Sequence, residues 1–420
     1  MKVLHLVISL EGGAGGSAYK LHQGLREAGA SSLMLVQNKS ISDESVMVIP
    51  KAGLARKLNR LRPKFDRLPL KLYPNRRGFF SVQWVPDFIA SKVEEIRPDV
   101  INLRWVLGGY LRIETIAKFK KPIVWTLSDM WPFTGGCDYS EGCDRYTDNC
   151  GACPQLRSDK SKDLSRWVWQ RKAKAWQDLD LTIVSPSSWL VQCAESSSLF
   201  KHLRIEKIST GVDTKKFKPI DRKVAREHFQ LPQDKQLILF GAWISDRRKG
   251  FHLLQPALQS LSKSGLQDKI EVVVFGFSEP NRPLNLGFKT HYLGRLNDQT
   301  SLAIAYSAAD VFVAPSIQDN LPNTVIEAIA CGTPCVAFKI GGMPDMIEHQ
   351  QNGYLAQPYD IEDLAKGIAW ILADDDRYLH LAHRARQKAE QGFTLELQAR
   401  RYLDLYNEIV EKRNRSVYAR

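Results

Sequence analysis

Short, mainly apolar runs alternate with stretches of helical period along this chain, and the alternation runs through twice. In the first half the apolar runs fall at residues 3–8, 33–36, 99–103, 123–127 and 181–184, with a helical pattern at 17–28 and others between most of the later runs. The pattern restarts after about residue 215, with runs at 236–240, 271–275, 311–314 and 334–337 and helical stretches at 250–262, 298–308, 324–331 and 360–372. Continuous apolar runs separated by helices specify parallel strands covered on both faces. The expected fold is therefore α/β: two Rossmann-like, doubly wound domains, residues 1–215 and 216–394, with the helical stretch 395–420 packing back across the hinge. A length of 420 residues suits two cores better than one. Ligands of such sheets bind at the carboxyl ends of the strands, so two sheets facing each other would share a central cleft.

No run of 18 apolar residues occurs, so no membrane-spanning helix is expected. The opening MKVLHLVISLEGG has a short apolar run followed by a glycine-rich turn in place of a cleavage site. It reads as a first strand, and the chain is expected to stay in the cytoplasm. The formal net charge of +13 is concentrated: residues 51–80 hold ten Lys and Arg against one acid, Asp66. Leu54, Leu58, Leu61 and Phe65 follow helical spacing among those cations, and Pro63 interrupts a single long helix. An anionic membrane surface and a solvated insertion both fit this segment. No nucleic-acid recognition motif accompanies the charge, so nucleic acid is not an expected partner.

Four stretches carry chemistry. Residues 315–337, PSIQDNLPNTVIEAIACGTPCVA, place Asp319 and Glu327 eight residues apart around a turn and a short helix that Gly332 and Pro334 end. Two carboxylates so placed can hold hydroxyl groups at two ends of one ligand, such as the ribose and the hexose of a nucleotide sugar. Ile326, Ala328 and Ile329 draw Glu327 inward, and a buried Glu needs a partner. Residues 246–250, DRRKG, set three cations after a strand, where they can neutralise a diphosphate. Gly12, Gly13, Gly15 and Gly16 form a loop between the first strand and first helix, suited to close approach of a phosphate or substrate. The second strand runs into Gln37, Asn38 and Lys39 with no acid, which argues against NAD. Finally Cys137, Cys143, Cys150 and Cys153 fall within 17 residues, spaced C-x5-C-x6-C-x2-C. A structural zinc site and four free thiols stand as equal readings of them, and a reducing compartment disfavours disulfides.

The C-terminal half resembles the retaining glycosyltransferases of the GT-B family 4. The resemblance is carried by Gly241 with Arg248, Lys249 and Gly250, by Gly211-Val212-Asp213 with Phe217 and Pro219, and by Ala309-Asp310-Val311-Phe312 leading to Pro315-Ser316. The E-x7-E motif of that family stands here as Asp319 and Glu327, followed by Gly341-Gly342-Met343-Pro344-Asp345 and Gly353-Tyr354. Gly12–Gly16 and residues 125–131, WTLSDMW, extend the resemblance into the N-terminal half. The cysteine loop is similar to that of an exopolysaccharide and capsule subgroup. The resemblance implies that Glu327 holds the donor ribose, that Asp319, Asn320 and Leu321 hold the donor sugar, and that Lys249, with Arg248, meets the diphosphate. Gly15 and Gly16 would close over the diphosphate and sugar. Asp129 would act on the acceptor side. It implies no cofactor for catalysis. Three positions depart from the pattern: Asp319 is the shorter acid, Trp243 stands where the family often has Arg, and Ser128 where it often has His.

The function expected is transfer of a sugar, with retention, from a UDP- or GDP-sugar to a hydroxyl of a glycan or lipid-linked acceptor in cell-surface polysaccharide synthesis. Asp319, Lys249 and Asp129 are the expected catalytic group, and the protein is placed in the cytoplasm, at the inner face of the membrane. The alternatives are a sugar-nucleotide epimerase of the same architecture and a non-catalytic scaffold on the membrane surface.

Overall fold

The computed structural model describes residues 1–39, 41–48, 54–241, 246–276 and 284–418, and the side chains of these apart from 54–58, 60 and 416–418. Trp243 and several cations of the basic segment lie outside the described set. The chain divides into two compact units, Met1–Ser209 with Gln398–Arg420, and Thr210–Leu397.

The first unit is built on seven parallel strands: β1 (Lys2–Leu6), β2 (Ser31–Val36), β3 (Val46–Val48), β4 (Val100–Leu103), β5 (Ile123–Thr126), β6 (Leu181–Ser185) and β7 (Arg204–Lys207), in the order β3-β2-β1-β4-β5-β6-β7. β4, β5 and β6 are buried along their whole length, as continuous apolar runs require. The order reverses between β1 and β4. Above β5 pack Trp125, Trp131 and Trp176, with Trp125 and Trp176 edge to face at 5.1 Å. The closing helix Leu395–Tyr418 runs from the second unit into the first. There it buries Tyr402 and Tyr406 completely, and Glu408 receives both Nη groups of Arg204 at 2.8 and 2.7 Å.

The second unit holds six parallel strands: β8 (Gln236–Gly241), β9 (Ile270–Phe275), β10 (Thr290–Tyr292), β11 (Val311–Ala314), β12 (Cys335–Phe338) and β13 (Gly353–Ala356), in the order β10-β9-β8-β11-β12-β13. Its order reverses between β8 and β11. Asp310, just ahead of β11, accepts from the Leu237 N–H at 2.6 Å and from Arg226 Nη2 at 2.8 Å, tying the two central strands together beneath the switch.

One expectation is corrected here. The glycine run is not a loop: the first helix begins at Gly12 and runs to Glu27, so Gly12–Gly16 form its opening turns. Glu11 ahead of it is extended, and Gly15 is required by packing, since a Cβ there would lie 2.2 Å from the Ser9 carbonyl oxygen. No helix among the described residues is long and apolar enough to cross a membrane.

Candidate functional site

In a doubly wound sheet the crevice for a ligand opens where the strand order reverses, at the carboxyl ends of the two strands that flank the reversal. In the second unit those strands are β8 and β11. The loop after β8 carries Arg248 and Lys249 on a short 3-10 turn, and the loop after β11 carries Asp319 and Asn320. The two loops meet. Lys249 Nζ donates to Asp319 Oδ2 at 2.7 Å, and Arg248 Nη1 lies 3.2 Å from Oδ1. Ser316 Oγ donates to Oδ2 at 3.2 Å and the Asn320 N–H to Oδ1 at 3.1 Å. Arg248 also reaches Asp246 Oδ2 at 3.2 Å and the Gln318 carbonyl at 3.2 Å, and its own carbonyl accepts the Ile317 N–H at 2.8 Å.

Two glycines make this approach possible. Gly250 has φ +75°, and a Cβ on it would fall 1.7 Å from the Pro315 oxygen. Gly341, after β12, has φ +51° and would put a Cβ 2.0 Å from the Asp319 oxygen, which accepts the Gly342 N–H at 3.1 Å. Three loops thus close on the backbone and side chain of one aspartate. Asp319 is 6% exposed. Burial by itself would raise its carboxyl, but Lys249 and Arg248, with Ser316, hold it below the ordinary aspartate range. It is an ionised carboxylate kept in place by two cations.

Glu327 lies in the helix Asn323–Ala330, which the Asp319 loop leads into, and is 8% exposed. It accepts a hydrogen bond from Tyr306 OH at 3.3 Å, the partner its apolar neighbours called for. Burial first, and Glu327 next, push the Tyr306 phenol well up, so this tyrosine is a fixed donor. Leu321 is buried at the start of the same segment. The second unit therefore gathers Arg248, Lys249, Asp319, Asn320 and Leu321 on one sheet edge, with Glu327 on the adjoining helix. A separate groove of about 710 Å³ lies beyond β12 and β13, at Lys339, His349 and Asp363. It does not include this edge, and its mixed charges show no comparable convergence.

Gly15, Gly16 and Asp129 belong to the first unit. The loop after β5 buries Asp129, whose Oδ2 accepts from Trp105 Nε1 at 2.8 Å and whose Oδ1 accepts the Trp131 N–H at 2.9 Å. These bonds orient the loop on the tryptophan core. A residue that sequence reasoning passed over stands at the first unit's own reversal, just past β4. Arg104 is 4% exposed and, among the described residues, makes two long side-chain hydrogen bonds, to Tyr402 OH and Ser17 Oγ, each at 3.4 Å. No described carboxylate pairs with it. A buried guanidinium so placed can take an anion. Its signal in the sequence was a lone cation directly after an apolar strand.

The four cysteines Cys137, Cys143, Cys150 and Cys153 are thiols, not disulfides. They line one cavity of about 20 Å³. Among the described residues no group of three or more His, Cys, Asp or Glu side chains stands closed around a point as a metal site.

These two sheets have the fold of GT-B glycosyltransferase structures. A sucrose-phosphate synthase from Thermosynechococcus elongatus aligns with a TM-score of 0.72 at 20% identity, over 98% of this chain and 99% of that one. A structure of HepE from Anabaena, in complex with UDP-glucose, aligns with a TM-score of 0.66 at 17% identity, over 97% of this chain and 100% of that one. Residues 221–391, which include every site residue of the second unit, match the family model described as Glycosyl transferases group 1. D-inositol 3-phosphate glycosyltransferase 2 of Catenulispora acidiphila is 30% identical over 221 residues, 50% of this chain and 51% of that protein. The chain spans about half the length of the curated relatives it matches.

Proposed function

We propose that this chain is a retaining glycosyltransferase of GT-B family 4 that takes a sugar from a UDP- or GDP-sugar and attaches it to a hydroxyl of a glycan or lipid-linked acceptor in cell-surface polysaccharide synthesis. The observation that carries the reading is the convergence of Lys249 and Arg248 on buried Asp319 at the strand-order reversal, with Glu327 on the helix that follows. A nucleotide sugar needs these groups: cations for a leaving diphosphate, a carboxylate for the sugar hydroxyls and a second for the ribose. A fold neighbour was solved with UDP-glucose, and residues 221–391 match the group 1 family model. In this reading Lys249 and Arg248 stabilise the charge that develops on the departing diphosphate. Asp319, held by those cations, positions the sugar for attack from the face that the leaving group vacates. Asp129 fixes the loop on the acceptor side. The subgroup and its polysaccharide role rest on the resemblance of residues 131–154.

The basic segment supports a place on an anionic membrane. Leu61, Phe65, Leu68 and Leu72 are exposed on and after the helix Leu54–Asp66, among exposed Lys64, Arg67 and Lys71, and Phe88 nearby is 79% exposed. Apolar side chains in a field of cations suit the headgroup boundary of anionic lipid. Co-flotation with vesicles containing phosphatidylglycerol, lost on Leu72→Ser with Phe88→Ser, is the expected result; no flotation of the unaltered chain contradicts the placement.

The transfer itself is tested by incubating the chain with UDP- and GDP-sugars and a lipid-linked or oligosaccharide acceptor. Product with the anomeric configuration of the donor is expected, and Glu327→Ala should abolish it. Full activity in that variant refutes the site. Release of an epimerised sugar nucleotide without acceptor assigns an epimerase instead.

A further inference from the structure

The four-cysteine loop and a lysine that sequence reasoning passed over come together in the first unit. Lys172 sits in the helix Leu164–Trp176 and is 0% exposed. Its ammonium donates to the carbonyls of Trp131 and Thr134, the latter at 3.0 Å, and lies 3.5 Å above the Trp131 ring. No carboxylate among the described residues forms an ion pair with it. Burial pushes its pKa well below the ordinary lysine value, while Cys150, Cys137 and Asp129 favour its charged form. A desolvated ammonium is stabilised by added negative charge nearby.

The loop around those thiols is arranged for sulfur ligands. All four line the same cavity of about 20 Å³, room for one ion or one water. Cys150, Gly151 and Ala152 are held in the left-handed region, with φ of 53°, 103° and 42°. For Cys150 and Ala152 that conformation costs energy unless something beyond the chain's own preference fixes it. The segment 134–153 has one short 3-10 turn, Arg145–Thr147, and no strand of its own. A cross-link is what so irregular a stretch lacks.

We propose that Cys137, Cys143, Cys150 and Cys153 bind one zinc ion as four thiolates, a structural site for which buried Lys172 is the charge partner. Zinc with four thiolates carries two net negative charges, and the ammonium beside Cys150 and Cys137 offsets one of them. The four cysteines line one cavity without being closed on a centre, so binding would have to draw the loop inward. Four protein ligands leave no open position, so the ion takes no part in chemistry. The site does not depend on the glycosyl-transfer reading and stands or falls separately from it.

The test is elemental analysis of the full chain, purified by gel filtration without chelator. About one zinc per chain is expected. Cys150→Ser should lose it, whereas Cys193→Ser, which changes a thiol outside the loop, should retain it. If Cys150→Ser is insoluble, Co(II) exchanged into the unaltered chain serves instead: thiolate-to-cobalt charge-transfer bands in the near ultraviolet and intense tetrahedral bands in the visible are expected. Absence of zinc, with four loop thiols that titrate freely or are paired as disulfides, overturns the proposal. Zinc retained in Cys150→Ser, or a cobalt spectrum without sulfur bands, does the same.

Discussion

Replacing Lys249 by methionine keeps most of the stem and removes an ammonium 2.7 Å from a carboxylate that is 6% exposed. At that separation and an effective dielectric of about 20, the pair attracts by about 6 kcal/mol. Little of this is net stability, because burial has already cost both groups their hydration. Breaking a buried pair by removing one partner costs about 3–5 kcal/mol, as it strands the other charge. Here Arg248 remains 3.2 Å from the second oxygen, and the Lys249 side chain is 27% exposed. Discounting for both leaves about 2 kcal/mol, some thirtyfold in the folding equilibrium of the second unit. For a unit of this size that lowers the melting midpoint by about 4–8 °C. Differential scanning calorimetry reads it, provided the transition of the second unit is followed by itself. The double variant Lys249→Met with Asp319→Asn no longer strands a charge, so it should melt above the sum of the two single changes by an amount worth about 1 kcal/mol. A Lys249→Met protein that melts with the unaltered chain, or a double variant in which the two losses add, refutes the view of Asp319 as a carboxylate held by its cations.

Other expectations concern the framework around the site. Burial lowers the pKa of His22 to about 4, and that of His5 falls in the same direction. The unfolded histidines take up a proton below about pH 6.5 and the folded ones do not. Their contribution is therefore whole above pH 6.5 and is lost as the pH falls towards 4, by about 3 kcal/mol for His22. Melting curves recorded across that window should drop less steeply in His22→Gln, and a slope unchanged by that substitution counts against the assignment. Gly250→Ala must move the Asp319 loop away from the DRRK turn. We expect loss of transfer with the melting point of the first unit unchanged, and normal turnover in this variant disproves the close approach. Asp310→Asn weakens the tie to Arg226 and to the Leu237 amide. A loss of about 3 kcal/mol in the second unit is expected, and a change below about 0.5 kcal/mol in a urea titration contradicts it.

The parallel sheets were legible because continuous apolar runs are their direct requirement, and every run read from the sequence overlaps an observed strand. What escaped were elements with little apolar area to announce them. β3, β7, β10 and β13 have three or four residues each and lie at sheet edges. The helix Asp375–Gly392 buries only Leu381, Ala385 and Ala389, a stripe too thin to stand out among so many charges. The glycine run was taken for a loop suited to a phosphate or substrate, whereas it opens the first helix, with Gly15 packed on the Ser9 carbonyl.

Site residues divide along the same line. Asp319, Glu327, Arg248 and Lys249 could be selected because acids and cations clustered after strands. Their mutual distances could not, since Gly250 and Gly341 set them through contacts about 65 and 22 residues away in sequence. Arg104 and Lys172 show the harder case. Each is a single cation that looks solvated, and each is buried by elements distant in the chain: Arg104 by Tyr402, Lys172 beneath the Trp131 loop. For these two the burial comes from distant elements of the fold, and the residues beside them in sequence do not record it.

The central claim is that the carboxyl edge of β8 and β11 binds a nucleotide sugar through Glu327. Isothermal titration of the full chain with UDP and with GDP, repeated on Glu327→Ala, tests it most directly. Saturable binding of one of the two nucleotides is expected, weakened at least tenfold in the variant, about 1.4 kcal/mol or more. Binding of neither nucleotide, or equal affinity in both proteins, contradicts it.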